Sequence, residues 1–332
     1  KDVYEKGWFV KTMPDLNQRN KFLANYLIQN SIWWVEYLGI SGIRMDTYSY
    51  SDAGFLTDWT TAVMAEYPNF NIVGEEWFAE PTLVSYWQKD KINDDGYTSE
   101  LLSLCDFPME FTLIGALKND ESFGSGLIEI YELLGHDYLY AHPENLLTFP
   151  DNHDMSRLIT QLEGNYDKYK MALSFLATTR GIPMFYYGTE ILMDNDESGE
   201  HGVIRSDFPG GWEGDAVNGF TGAGLTKQQK EAKAFVSKLL NWRKTSKAVK
   251  SGKLMHFEVH NGAYVYFRYT ENEKIMVLMN KNKDKTEVPI KEYSEMLIDV
   301  TKGKDVLNGD KYNLSKPSIR IDGMSTTIIK VE

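Results

Sequence analysis

A chain of 332 residues with 42% hydrophobic and 25% charged residues has an ordinary globular composition, enough for one large domain and a small one. Its net charge of −13 argues against nucleic acid as a partner, because such binders carry a basic face. The single cysteine, Cys105, excludes an internal disulfide framework, and no stretch approaches the roughly 20 apolar residues of a membrane-spanning helix.

In chain order, residues 20–38 read as a helix with Leu23, Leu27, Trp34 and Leu38 on one face. A strand follows at 41–46, a helix at 53–67 and a strand at 70–75. Residues 101–107 read as another strand, with a helix near 125–134. Residues 146–150 form the next strand, 166–179 a helix stopped by Gly181, and 182–187 the last strand. Five strand–helix rounds imply a parallel sheet with crossover helices. Residues 188–225, rich in Gly, Asp and Asn, are too long for an ordinary connection and are expected to be functional. Thr226 caps a helix to about 246, with Gln229 completing a capping box. Beyond Gly252 the period becomes two, at 256–260, 263–269 and 274–279, and Asn261-Gly262 signals a hairpin. The expected division is 1–250 for the α/β part and 251–332 for a small antiparallel β domain.

Three apolar runs end in acidic residues, delivering Asp46, Glu75 and Asp154 to the C-terminal rim of the sheet, where barrel enzymes keep their chemistry. Carboxylates on one rim suit a glycosidic bond, which needs an acid and a nucleophile or base. Tyr48, Tyr50, Trp77, Phe78, Phe107, Phe208 and Trp212 lie beside acidic residues, and sugar C–H faces stack on rings; packing explains any one of them equally well.

Four ordered motifs carry a family resemblance: Gly42-Ile43-Arg44-Met45-Asp46, Gly74-Glu75-Glu76-Trp77, Asp151-Asn152-His153-Asp154, and the stretch from Gly181 to Glu190. Together the chain resembles the α-amylase family of glycoside hydrolases. Met13 to Asn17 and Arg205 to Trp212 are similar to stretches of its neopullulanase and cyclomaltodextrinase members. The resemblance implies a (β/α)8 TIM barrel, here from about its fourth strand to its eighth, followed by a β-sandwich domain. It implies retaining hydrolysis of an α-glucan: Asp46 as nucleophile, Glu75 as acid/base, Asp154 as the carboxylate that distorts the sugar, and His153 as its partner on the same sugar.

The residues carry their own reading beside this. Arg44 shares a strand face with Asp46 and would keep it ionised, unless the two form only a structural ion pair. Glu75 must begin protonated, and burial near Trp77 and other carboxylates would achieve that. Glu76, on the opposite face, is expected to be structural. Asn152, Tyr48, Trp77 and Arg157 are further candidate substrate contacts; for Arg157 an exposed salt bridge is the rival. Asp151, His153 and Asp154 as metal ligands is disfavoured, because adjacent residues rarely converge on one ion, and an Asx-rich turn is the plainer alternative. Tyr186 and Tyr187 are read as core and rim, Gly188 and Glu190 as structural.

The chain departs from the family pattern in showing five strands of eight and no early aspartate with its asparagine–histidine pair. It is therefore expected to be the C-terminal part of a longer protein, and to fold poorly and be inactive alone, because an open barrel exposes strand edges. No cofactor is required for the chemistry, although the family allows a structural calcium. The expected partner is an α-glucan, and the compartment, bacterial periplasm or cytoplasm, stays open. Transglycosylation or isomerisation on the same scaffold, and an inactive sugar-binding relative, are the alternatives.

Overall fold

The computed structural model describes residues 8–332, which divide into two compact units. The first takes in the described residues up to Pro108 together with Gly135–Thr148; the second comprises Met109–Leu134 and Phe149–Glu332.

The first unit is built on parallel strands. Gly42–Met45 pairs with Asn71–Gly74, Ile43 opposite Ile72, and Asn71–Gly74 pairs in turn with Ser103–Leu104. Cys105 forms a parallel bridge to Leu147, so the short strand Leu147–Thr148 extends the series. The connections are helical. Lys21–Leu38 is capped by Asn20, whose side chain accepts from the amides of Phe22 and Leu23, and ends at Gly39 with φ +63°. Ala53–Glu66 is capped by Asp52. Leu56, Val63, Ile72, Leu101, Leu104 and Leu146 are fully or almost fully buried between helix and strands.

The inward face of the first helix differs from expectation. Val35 is its buried residue, with Ala24, Ile28, Ile32 and, as expected, Leu27 packed beside the core, whereas Trp34 and Leu38 are 42% and 59% exposed. The helix carries apolar side chains almost all round, so periodicity could not choose the face. Trp33 stacks on Tyr37 on the outer side, centroids 4.7 Å apart.

Residues 101–107 are a strand only at Ser103–Leu104, and Phe107–Lys118 is a helix that sequence reading missed. Pro108 sits in its first turn, where a missing N–H costs nothing.

In the second unit the helix Tyr166–Thr178 is buried on nearly every side, and Ala232, Val236 and Leu239 of the helix Lys227–Thr245 join the same core. The expected capping box at Thr226 and Gln229 is present. The C-terminal sheet has six antiparallel strands: Lys311–Asn313, Lys302–Asp305, Ser325–Val331, Lys274–Asn280, Ala263–Tyr269 and Lys253–His256, in that spatial order. Its period of two divides the side chains between two cores. Tyr264, Tyr266, Ile275 and Val277 face the helices, while Val265, Phe267, Met276 and Leu278 face the pair Thr286–Pro289 and Ser318–Ile321. Asn261 and Gly262 both take positive φ, as a two-residue hairpin turn requires. The strand expected at 256–260 lies instead at Lys253–His256.

Candidate active site

Asp46 and Glu75 follow directly on the neighbouring parallel strands Gly42–Met45 and Asn71–Gly74, so the register brings their chain segments side by side. The Glu75 amide continues the ladder, donating to the Met45 carbonyl at 2.9 Å. Arg44 joins the two carboxyls: Nη1 donates to Asp46 Oδ1 and Nη2 to Glu75 Oε1, the latter at 2.5 Å. The Thr47 amide donates to Glu75 Oε2 at 2.9 Å, and the Tyr48 amide to the Glu75 carbonyl at 2.9 Å.

The two carboxyls differ in environment. Asp46 is largely exposed, whereas Glu75 is 5% exposed. Burial pushes the proton affinity of Glu75 up, and Asp46 adds to this; the Thr47 amide and Arg44 pull the other way without cancelling it. The buried Glu75 is therefore placed to hold a proton longer than an exposed carboxyl would. Trp77 is half in solvent and stacks on Phe107, centroids 4.4 Å apart and planes 27° apart.

Glu75 and Glu76 face different partners, as adjacent residues at a strand end should. The Glu76 carboxyl accepts from Ser49 and from Trp87. Tyr48, expected to touch substrate, does not line the surface. The one-turn helix Tyr48–Tyr50 sends its ring into the core, edge-on to Trp87, with its hydroxyl 3.3 Å from Ser99. The physical reason is Gly74: the ring packs against its bare Cα, where a Cβ would lie 3.1 Å from Tyr48 Cγ.

In the second unit, Asp154 is held by Arg205 and His153, with His201 beside them. Arg205 Nη2 donates to Oδ1, His153 Nε2 lies 3.0 Å from Oδ2, and His201 Nδ1 lies 3.6 Å from Oδ1. Asn152 is a turn residue, not an exposed contact: its buried side chain accepts from the Asp154 amide at 2.8 Å, which is the Asx geometry that the Asp-Asn sequence favours. Asp151 is wholly buried, taking the Leu158 amide at 2.8 Å and the Thr189 hydroxyl at 3.0 Å, and burial pushes its carboxyl up to about 6. It and Asp154 thus look to different partners. Among the described residues, no group of three or more His, Cys, Asp or Glu side chains is placed to hold a metal ion.

Arg157 is neither an exposed ion pair nor a surface contact. It is fully buried, with Nε donating to the Ile204 carbonyl at 2.9 Å and Nη1 to the Tyr187 carbonyl. Its guanidinium lies 4.1 Å from the Tyr186 ring centroid and 4.8 Å from that of Tyr187. Sequence reasoning also missed Arg205 and His201 as partners of Asp154. Arg205 opens a stretch that stands out in the sequence, within a segment whose length marks it as functional, but spacing alone cannot pair residues so far apart.

Comparison with known proteins gives two family matches. Residues 2–288 match the α-amylase catalytic domain and residues 254–330 the cyclo-malto-dextrinase C-terminal domain. A cyclomaltodextrin glucanotransferase of Bacillus licheniformis is 26% identical over 89% of this chain and 38% of its own length. A cyclomaltodextrinase of a Bacillus species is 27% identical over 85% of this chain and 46% of its own. The chain thus spans well under two thirds of the length of these relatives. Among solved structures, the α-amylase of Geobacillus thermoleovorans complexed with acarbose superposes with TM-score 0.78 at 21% identity, covering 99% of this chain and 68% of the other. A cyclomaltodextrinase superposes with TM-score 0.75 at 20% identity, covering 99% and 52%. The fold is that of the (β/α)8 barrel enzymes, with an antiparallel β-sandwich region at the C-terminal end.

Proposed function

Because the chain belongs to the α-amylase family of glycoside hydrolases, we propose that the whole protein is a retaining hydrolase of α-glucans such as maltodextrins, starch, pullulan or cyclodextrins. The observation that carries this reading is the single guanidinium, Arg44, shared by an exposed Asp46 and a buried Glu75. Retaining enzymes keep their two carboxyls roughly 5–5.5 Å apart, close enough for one to attack carbon while the other handles the leaving oxygen.

In this reaction Asp46 attacks the anomeric carbon as Glu75 gives its proton to the departing glycosidic oxygen. The C–O bond breaks and a glycosyl ester on Asp46 forms. Water then attacks the same carbon, Glu75 takes its proton, and the ester bond to Asp46 is released. Arg44 holds both carboxyls, one on each terminal nitrogen. The buried setting of Glu75 supports its starting as an acid. Asp154, with His153, is assigned to sugar hydroxyls, where it favours the oxocarbenium-like state.

A transferase reading rests on a specific observation: several of the relatives are named cyclomaltodextrin glucanotransferase. There a sugar hydroxyl replaces water in the second step. The test is to incubate the full-length protein with pullulan, starch and a cyclodextrin, with Asp46→Ala as control, and follow the anomers by NMR. Products of α configuration that vanish in the control uphold the hydrolase. Longer or cyclic glucans without net reducing ends favour the transferase. No turnover of any α-glucan overturns both.

A further inference from the structure

Glu76 is a buried carboxyl that the chemistry above does not use. It is 2% exposed, and its Oε2 has no hydrogen-bond partner. What it does touch is instructive. Its carboxyl accepts from the backbone and the hydroxyl of Ser49 and from the side chain of Trp87. Ser49 is itself buried, in the short turn that follows Asp46.

That turn is held from one side by two consecutive residues. Thr47 and Tyr48 hang from Glu75, through its Oε2 and its carbonyl. Ser49 hangs from Glu76. Thr47 also sits at φ +45°, a left-handed conformation that costs a β-branched residue strain and persists only when its surroundings impose it. Released from Ser49, the turn would relax, and both the Asp46 side chain and the Thr47 amide on Glu75 would move with it.

Resting on the hydrolase reading of Asp46 and Glu75, we propose that Glu76 is a positioning residue: it anchors Ser49, and so fixes the turn that aims Asp46 and delivers the Thr47 amide to Glu75. Burial pushes its carboxyl up to about 7, against the bonds from Ser49 and Trp87, which favour its ionised form. The charged group facing it is Glu75 on its own segment. Ser49, from the turn, and Trp87, from beyond the helix Pro81–Ser85, do not titrate in this range. Ionisation of Glu76 would set a second negative charge in a buried pocket beside Glu75, so the two carboxyls hold each other's protons.

The test compares Glu76→Gln and Glu76→Ala with the wild-type full-length protein, measuring kcat and KM from pH 5 to 9 per folded active site. Gln keeps the shape and an acceptor oxygen but cannot ionise. The alkaline limb of kcat, set by loss of the Glu75 proton, is expected at lower pH in Glu76→Gln, which lacks the neighbouring charge. Glu76→Ala is expected to lose at least about 10-fold in kcat with KM within about 3-fold, since a misplaced catalytic group costs rate more than binding. Glu76→Gln is expected to restore most of that loss at pH 6. A Glu76→Gln profile superimposable on wild type overturns the proposal, as does an unchanged kcat in Glu76→Ala. Should Glu76→Ala not fold, Ser49→Ala, which removes the hydroxyl from the other side, is expected to show the same kcat loss; wild-type kcat there likewise overturns it. Failure of the underlying reading is separately visible, because Asp46→Ala would then retain hydrolysis.

Discussion

Arg205 grips Asp154 from 51 residues further along the chain, with Nη2 on Oδ1 while its Nε donates to the His153 carbonyl at 2.8 Å. The same Nη2 lies 3.0 Å from His201 Nδ1, so that nitrogen of His201 acts as acceptor. One planar fork thus fixes both the side chain and the backbone of the motif that carries the third carboxylate.

This relationship predicts a graded response. Arg205→Ala should lower kcat on the order of 10- to 100-fold, because a misaimed catalytic carboxylate costs rate even at small displacement. Arg205→Lys should recover only part, since an ammonium cannot serve the carboxylate and the carbonyl in one plane. Steady-state kinetics on a maltodextrin, beside a melting curve, decides it. A fall in melting temperature with kcat preserved would reduce Arg205 to a structural tether.

Arg157 is predicted to matter for stability rather than for substrate. Its buried guanidinium serves the Ile204 and Tyr187 carbonyls and packs beneath two tyrosine rings, and its amide donates to Asn195 Oδ1 at 2.7 Å. Arg157→Ala removes side-chain volume and strands two carbonyls, at a cost of roughly 3 kcal/mol or more. Arg157→Lys should also destabilise, because its point charge cannot divide between two carbonyls in the guanidinium plane. Urea unfolding measures both. A loss below about 1 kcal/mol for Arg157→Ala would contradict the buried role.

The contrast between these arginines shows what the sequence could carry. Strand ends were legible because an apolar run stopping at Asp46 or Glu75 encodes both burial and direction. Helix limits were legible where a cap was explicit, as at Thr226 with Gln229. The helix Phe107–Lys118 was missed because the strand was read to Phe107 and the residues that follow, apolar with Pro108 near the start, carry no explicit cap. Tyr48, Asn152 and Arg157 were misplaced for a different reason. Each stands beside a catalytic candidate in sequence, but the direction of a side chain in a tight turn depends on local dihedrals that the pattern of residue types does not record. The family resemblance named motifs; it did not say which members of a motif support the others.

Three buried carboxyls make stability depend on pH in one direction. Burial raises Glu110 to about 8, Glu76 to about 7 and Asp151 to about 6. Each folded-state affinity for a proton exceeds the unfolded one, so the folded form is favoured below about 4.5 and loses that advantage as pH rises through these values. For Glu110 the loss is a few kcal/mol between about pH 4.5 and 8, since each tenfold difference in proton affinity between the folded and unfolded chain is worth about 1.4 kcal/mol. Beside burial, the charge on Asp151 raises Glu110 further, and both Glu110 carboxyl oxygens are without a hydrogen-bond partner. Glu110→Gln should therefore flatten the fall in melting temperature between pH 5 and 8. A variant whose pH dependence parallels wild type would show that Glu110 ionises freely in the folded chain.

Gly74 supplies the closest test of how tightly the carboxyl pair is built. A Cβ there would lie 2.8 Å from Leu101 Cδ2 and 3.1 Å from Tyr48 Cγ, and both neighbours are fully buried. Neither can retreat without moving the turn whose Thr47 amide binds Glu75. Gly74→Ala is thus expected to cost about 1–3 kcal/mol by overpacking, and to lower kcat at the same time. Gly115, inside the helix Phe107–Lys118, is the matched control. A Cβ there meets nothing nearer than Glu129 Oε2 at 3.5 Å. Gly115→Ala should stabilise by about 0.4–1 kcal/mol, since alanine loses less backbone freedom on folding. Opposite signs from one substitution type would tie the penalty at Gly74 to contact with Tyr48 and Leu101. Equal signs would mean that the turn yields, and that the positions of Asp46 and Glu75 tolerate more movement than their shared hydrogen bonds suggest.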